Sequence, residues 1–420
     1  MGPRLALRHR LTRSPLVVQA GTFAGANILT SAIGGVSTAL LARNLSADQY
    51  GSYSFATSAV AFTAMFFEFG LFLPPARQVA RGESARGEVV AATTVAFLPV
   101  GLALAGFGFA LSYHVDQWFN VEVGTALRLM TPFLLVYPYE FVAFQLAQGL
   151  DRVNAYSVTR VLVRGGAVGA LVLLLLTGHR LTVASALVVE SVALLVGWTA
   201  FTIRLKPIYR GIAPRLGSFL RDARAYGFQV YLGRVLSSGT YSMDTLMVAA
   251  LTDARSVGMY ALAETMAYLV GLPGAGMAAA LFSQMARRHG LPRRWLVSAC
   301  ALGLAAALGA CILARPFLAT VIGPDYLPAA ALLPPLALAQ VVRSVTTLYN
   351  TYLTAHARGI QLRNAALLLT ASNLVLNVCL IPPFGAMGAA WASLFALLVN
   401  LVAHVVAYGR LQRAPEEALV

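Results

Sequence analysis

The sequence predicts an all-α integral membrane protein of about twelve transmembrane helices in two six-helix bundles. Three observations carry this expectation. The 420 residues are 58% hydrophobic and only 11% charged, with a mean hydropathy of +0.72, which is more apolar surface than a soluble globule can enclose. The apolar residues come in long runs, of the roughly 20 residues needed to cross about 30 Å of hydrocarbon. The basic residues behind the formal net charge of +15 cluster between those runs, and all but Lys206 are arginines. A nucleic-acid binder carries its basic residues as a patch on a folded surface; placement between apolar runs is a topology signal instead.

In chain order the runs cover 16–41, 52–73, 89–111, 126–150, 155–176 and 181–203, then 228–251, 259–285, 296–322, 329–355, 364–380 and 387–408. The opening "MGPRLALRHRLTR" resembles a secretory signal, but the apolar stretch after it is too long for a signal core and lacks a small-residue cleavage site, so it reads as a retained first span. Arg4, Arg8, Arg10 and Arg13 precede that span. Further clusters at Arg77, Arg81 and Arg86, at Arg204 to Arg224, and at Arg287, Arg288, Arg293 and Arg294 fall on the same side. The opposite side or its helix edges hold only Arg43, Arg128, Arg180, Arg255 and Arg315. The positive-inside rule therefore places both termini in the cytoplasm. The long loop 204–227 divides the chain into a first bundle (1–203), a linker, and a second bundle with a short tail (228–420).

Cys300, Cys311 and Cys379 lie in apolar runs and read as packing residues. The six histidines have no metal-ligand spacing, and no phosphate loop, HExxH or DxD pattern is present. No enzyme activity, metal or cofactor is expected, and a nucleotide-driven pump would need a separate subunit.

Many transporters are built from two related halves. "LSADQYGSYSFA" (Leu45 to Ala56), after the first span, matches "LTDARSVGMYALA" (Leu251 to Ala263), after the seventh. Gly51 aligns with Gly258, Tyr53 with Tyr260 and Ala56 with Ala263, at a constant offset of 207 residues. Both copies fall on one side of the membrane, so the repeat is parallel. Each is expected to be an outer turn, with Gly51 closing it and Tyr53 anchoring the second helix at the interface.

These segments resemble a known family. "LLARNLSADQYGSYSFA", "YGFQVYLGRVLSSGTYSMDTLMVAALTDARSVGMYALA", "VIGPDYLPAAALLPPLALAQ" and "NLVLNVCLIPPFGAMGAAWASL" are similar, in family order, to the Wzx-type flippases of the multidrug/oligosaccharidyl-lipid/polysaccharide (MOP) exporter superfamily. The resemblance implies two bundles facing each other in a V, with a polar cavity that moves a polyprenyl-linked oligosaccharide between leaflets.

Ionisable groups inside a membrane cost about 2.5–3.5 kcal/mol each on insertion scales, and usually face a cavity or a partner. They are Glu68, Glu140, Arg160, Arg164 and Glu190 in the first half, and Arg234, Asp244, Glu264 and Arg343 in the second. Arg160 and Arg164 share one helical face, where two guanidinium groups can grip a pyrophosphate, or can instead pair with Glu140 and Glu190. Arg343 lies mid-span and is assigned to the cavity with Arg164, Arg234 and Arg160. Asp244 stands where the resemblance expects an acid, but Ser242-Met243 replaces the neighbouring base, so local pairing, proton or cation coupling, and packing stay open for it. Glu68 and Glu264 lie nearer helix ends and suit structural pairing as well as function. Pro132, Pro138, Pro273 and Pro334-Pro335 are expected to bend their helices, and "GAMGAAW" to supply close helix contact.

The resulting expectation is a flippase of the cytoplasmic membrane. Its substrate is a polyprenyl-pyrophosphate-linked oligosaccharide for a surface polysaccharide, its partners the lipid bilayer, a polymerase and glycosyltransferases, and nucleic acid plays no part. The alternatives are a multidrug or cation antiporter of the same superfamily and a membrane-embedded transferase or ligase.

Overall fold

The computed structural model describes residues 15–67, 86–222, 231, 242–356 and 358–413, and among these all regular structure is helical. The helices are α1 (Pro15–Asn44), α2 (Ala47–Phe67), α3 (Arg86–Leu111), the short α4 (Val115–Trp118), α5 (Gly124–Met130), α6 (Tyr137–Gly149), α7 (Val153–Leu176), α8 (Val183–Arg204), α9 (Ala213–Asp222), α10 (Ser242–Leu251), α11 (Ala254–Met285), α12 (Arg293–Phe317), α13 (Ala329–Ala355) and α14 (Gly359–Arg413). Each expected span has helical residues here, the seventh through Tyr231 and α10. Among the described residues, nine helices are long and apolar enough to cross a membrane. The protein is a multi-pass membrane protein. Large apolar side chains such as Leu162, Leu176, Val196, Leu308, Ile312 and Val402 are exposed, as a lipid-facing surface requires.

Of the prolines expected to bend helices, Pro132 and Pro138 interrupt one, whereas Pro273 and Pro334-Pro335 lie inside the continuous helices α11 and α13. Pro132 and Pro138 bracket a 3₁₀ turn, Thr131–Val136, that interrupts the fourth span between α5 and α6, because a proline ring removes a backbone donor and clashes with the preceding turn. The last two spans run on as α14, interrupted at Gly385, where φ is +58° and ψ −139°. Just beyond, Ala389 and Ala390 are fully buried and a Cβ on Gly388 would overlap the Leu380 carbonyl, so "GAMGAAW" packs as expected. The three cysteines are free; Cys379 is exposed and Cys300 and Cys311 are half-buried, so the packing role expected for them is partial at most.

The chain forms two compact units. One comprises Met1–Ser37, Thr63–Tyr113 and Gly124–Leu232; the other comprises Thr38–Phe62, His114–Val123 and Gly233–Val420. In the first, Tyr156 stacks on Trp198 at 5.5 Å and Trp198 meets Phe201 edge-on, joining α7 to α8. The linker helix α9 packs on α3 with Phe219 fully buried. In the second, α11 and α14 both pack on α13.

The repeat is visible in the second unit, and its geometry corrects the turn reading. Ser46 caps α2, its hydroxyl accepting from Gln49 N–H at 3.3 Å while Gln49 Oε1 accepts from Ser46 N–H at 3.2 Å. At the 207-residue offset, Asp253 caps α11 by accepting from Ser256 N–H at 2.7 Å. The carbonyls that precede these caps are also matched: Leu45 O accepts from Tyr326 Oη at 3.1 Å, and Thr252 O accepts from Asn120 Nδ2 at 2.7 Å. Burial holds the Tyr326 phenol above its usual pKa. The turns are therefore shorter than expected, and Gly51 and Tyr53 lie inside α2. Gly51 closes no turn; it lets two helix starts approach. Tyr53 is buried, with 8% of its surface exposed, so its ring packs inside the protein and does not face lipid headgroups as an anchor would. A glycine followed by a tyrosine reads as a turn in sequence, but here the missing Cβ serves a helix crossing.

Candidate functional site: a buried carboxylate among amides and hydroxyls

Three segments of the second unit converge on Asp244 of α10, which is 5% exposed. Its Oδ1 accepts from Asn377 Nδ2 at 2.7 Å. Its Oδ2 accepts from Ser393 Oγ at 2.6 Å and from Tyr260 Oη at 3.1 Å. Tyr260 and Ser393 hydroxyls are themselves 3.2 Å apart, and Asn377 Nδ2 also donates to Asn373 Oδ1 at 3.1 Å. Tyr260 belongs to the repeated Gly-x-Tyr of α11, Asn373 and Asn377 to the first arm of α14, and Ser393 to the arm after the Gly385 break. The donors satisfy a charge that burial alone would make costly.

The arrangement has spare oxygen. Asn377 Oδ1 is buried without a hydrogen-bond partner. A cavity of about 30 Å³ beside the cluster is lined by Asp244, Tyr260, Glu264, Gln340, Asn373 and Ser393, with apolar walls. That volume admits one water-sized guest, and carboxylate, amide and hydroxyl oxygens suit a hard monovalent or divalent cation or a hydrated proton rather than a soft metal. Among the described residues no group of three or more His, Cys, Asp or Glu is placed to hold a metal. Glu264 of α11 feels the charges of both Asp244 and Arg343, so α13 brings Arg343 to the same region.

The first unit holds a separate set. Arg160 donates to Asn27 Oδ1 at 2.7 Å and lies 5.8 Å from the Tyr156 ring centroid. Arg164 faces Glu190 at 3.9 Å, with its own side chain 45% exposed and that of Glu190 13% exposed. The charges of Glu190, Arg164 and Glu140 all act on Tyr137. Of the two readings of the Arg160–Arg164 face, the structure gives Arg164 an acid partner and Arg160 an amide. Glu68 and Arg234 lie outside the described residues. Asn373, Asn377 and Ser393 carry no charge to mark them in sequence; the signal for the first two is a pair of asparagines four apart in an otherwise apolar span.

Residues 18–282 match the family model described as polysaccharide biosynthesis protein. The chain belongs to that family. This polysaccharide biosynthesis protein is similar in fold to a solved structure titled "Lipid II flippase MurJ, inward closed conformation": TM-score 0.74, 15% identity, covering 94% of this chain and 88% of that one. It is also similar to a MATE multidrug resistance transporter of the MOP superfamily in an inward-facing conformation, with TM-score 0.72, 14% identity, and coverage of 91% and 96%. An outward-facing structure of such a transporter gives TM-score 0.62 at 14% identity, covering 96% of both chains. No curated protein sequence matches it. The MOP-type fold expected from the resemblance is the fold observed.

Proposed function

We propose that this protein is a flippase that carries a polyprenyl-pyrophosphate-linked oligosaccharide from the cytoplasmic to the outer leaflet by alternating access, for assembly of a surface polysaccharide. The observation that carries this reading is the match of the polysaccharide biosynthesis family to residues 18–282, on a chain whose helices follow a transporter fold. Both termini lie in the cytoplasm in this reading, because the arginine clusters share their side. A polymerase and glycosyltransferases would act on the same lipid before and after it.

In this reading the cationic residues Arg164, Arg343, Arg160 and Arg234 draw the pyrophosphate or acidic sugars inward, with Glu140, Glu190 and Glu68 setting the local balance of charge. Asp244 is the coupling group. It takes up a cation in the small oxygen-lined cavity beside Asn373, Asn377 and Ser393, with Glu264 sharing the charge.

One observation favours a second reading. Asp244 and Glu264 line one small cavity of the second unit, as a cation-coupled drug antiporter would need, with Arg343 acting on the same region. Deleting the gene and locating the lipid-linked intermediates separates these. Complete units trapped on the cytoplasmic leaflet support the flippase; unaltered units with lowered drug resistance support the antiporter. Units that reach the outer leaflet but stay unjoined would instead indicate a transferase or ligase.

A further inference from the structure

A groove of about 390 Å³ opens between the two arms of α14 at their Arg358 and Arg410 ends, beyond the stretch of the same arms that carries Asn373, Asn377 and Ser393. Arg358, Gln361 and Asn364 from the start of one arm and Arg410 from the end of the other form its polar rim; Ala365, Leu368, Ala403, Val406, Ala407 and Leu411 form its walls. No acid lines it. Arg358 Nε is buried without a hydrogen-bond partner. Arg363 donates to Asn364 Oδ1 through Nε at 3.4 Å and through a terminal nitrogen at 3.3 Å, which engages the amide oxygen and leaves the amide N–H₂ as a donor.

Rim and walls have opposite chemistry. At about 1.5 Å per helical residue, the step from Arg410 to Ala403 or from Arg358 to Leu368 is on the order of 10–15 Å. The groove thus runs from paired guanidinium groups into purely apolar depth. Its flanks are open, Leu368 and Val406 being exposed by 45% and 46% and neighbouring Val402 by 61%, so a ligand enters from the hydrocarbon and not through a central cavity. A soluble anion would satisfy the rim and leave the walls unmatched; a sterol or a drug would do the reverse. The alanines keep the floor narrow, which suits a smooth acyl chain better than a prenyl chain with a methyl branch on every fourth carbon.

We propose that this groove binds an anionic phospholipid from the leaflet at the Arg358 and Arg410 ends of the two arms. Its phosphodiester sits between Arg358 and Arg410 with Asn364 and Gln361 donating to the headgroup, and one acyl chain lies along Ala365, Ala403 and Ala407. The site is independent of whether the protein moves lipid-linked sugar.

The test is lipid retention by the full-length protein in mild detergent, read by native mass spectrometry with phosphatidylglycerol, phosphatidylcholine and a polyprenyl diphosphate as probes. The expected result is one tightly held phosphatidylglycerol, preferred over phosphatidylcholine. It weakens about 10- to 30-fold in the double variant R358Q/R410Q, two charges near a membrane surface being removed. R358K/R410K is expected to keep most of the binding. A403F, which fills the chain slot without touching charge, is expected to lose it. Monodispersity and thermal unfolding identify a variant that fails to fold, and the Lys and Phe variants then still decide. Retention of phosphatidylglycerol at the parent protein's level in A403F and in R358Q/R410Q would overturn the site, as would equal binding of phosphatidylcholine by the parent. Displacement of phosphatidylglycerol by equimolar polyprenyl diphosphate would overturn the choice of ligand.

Discussion

Gly51 and Gly258 face each other across a reciprocal helix contact. A Cβ on Gly51 would overlap the carbonyl oxygen of Ala254, and a Cβ on Gly258 would overlap the carbonyl oxygen of Ala47. Each glycine meets the residue that is the repeat partner of the one its counterpart meets. Any side chain at either position therefore has to part the starts of α2 and α11. Gly51→Leu and Gly258→Leu are each expected to destabilise the protein by about 1–3 kcal/mol, the usual cost of overpacking. The double variant should lose less than the two losses combined, since one substitution already separates the helices. Thermal unfolding of the purified variants measures this; losses within about 0.5 kcal/mol of zero for both single variants would show that the contact is slack.

Asp244→Asn keeps the shape of the cluster and removes its charge. If Asp244 couples transport to a cation, export of the polysaccharide should fall at least about tenfold, the minimum effect of losing a transport-linked ion interaction worth about 1.4 kcal/mol, while the protein still reaches the membrane in normal amount. Ser393→Ala removes only one of three donors and should cost about 0.6 kcal/mol of stability, near the average for a hydrogen bond between membrane helices. Surface polymer and membrane protein level, measured on the same cells, separate the two effects; normal export by Asp244→Asn would rule out coupling at this residue.

Arg164 and Glu190 make a loose, partly exposed pair, and such pairs contribute about 0–1 kcal/mol. Arg164→Gln should hence leave the unfolding temperature nearly unchanged and still lower export, if the guanidinium serves the substrate. A structural role predicts the opposite: export restored in the Arg164→Gln/Glu190→Gln pair, because no acid is left unmatched. Measuring export in the single and double variants distinguishes the roles.

Gly385 occupies a backbone region that only glycine enters without strain. Gly385→Ala is expected to cost about 1–3 kcal/mol and to shift the arm that carries Ser393, eight residues on, away from Asp244. Chemical denaturation reports the first effect. A matching loss of export reports the second, and a variant as stable and active as the parent would contradict both.

Much of the fold was legible because bilayer-spanning helices are written as apolar runs and their connections as arginines. The helix caps were legible in part: the repeat around Gly51 and Gly258 showed in sequence, but its meaning as a crossing of two helices did not, since a turn and a tight helix contact both ask for glycine. Asp244 stood out as a charge in an apolar span. Asn373, Asn377 and Ser393 did not, because amides and hydroxyls cost less to insert than charges and are scattered through many spans. Only the folding of α14 back on itself brings Asn377 and Ser393 to one carboxylate. The partners of Arg160 and Arg164 were open for the same reason: spacing along α7 fixes a shared face but says nothing of what α1 and α8 present to it.

The paired caps at Ser46 and Asp253, with their reciprocal glycines, have the form of an interface between identical subunits, in which residue i meets j and j meets i. A six-helix precursor carrying one copy of this motif could make the same contact with a second copy of itself. Joining two such genes head to tail would preserve the contact as an internal one. It would also free each copy to diverge, serine at one cap and aspartate at the other, while the glycine that both surfaces need stayed in place.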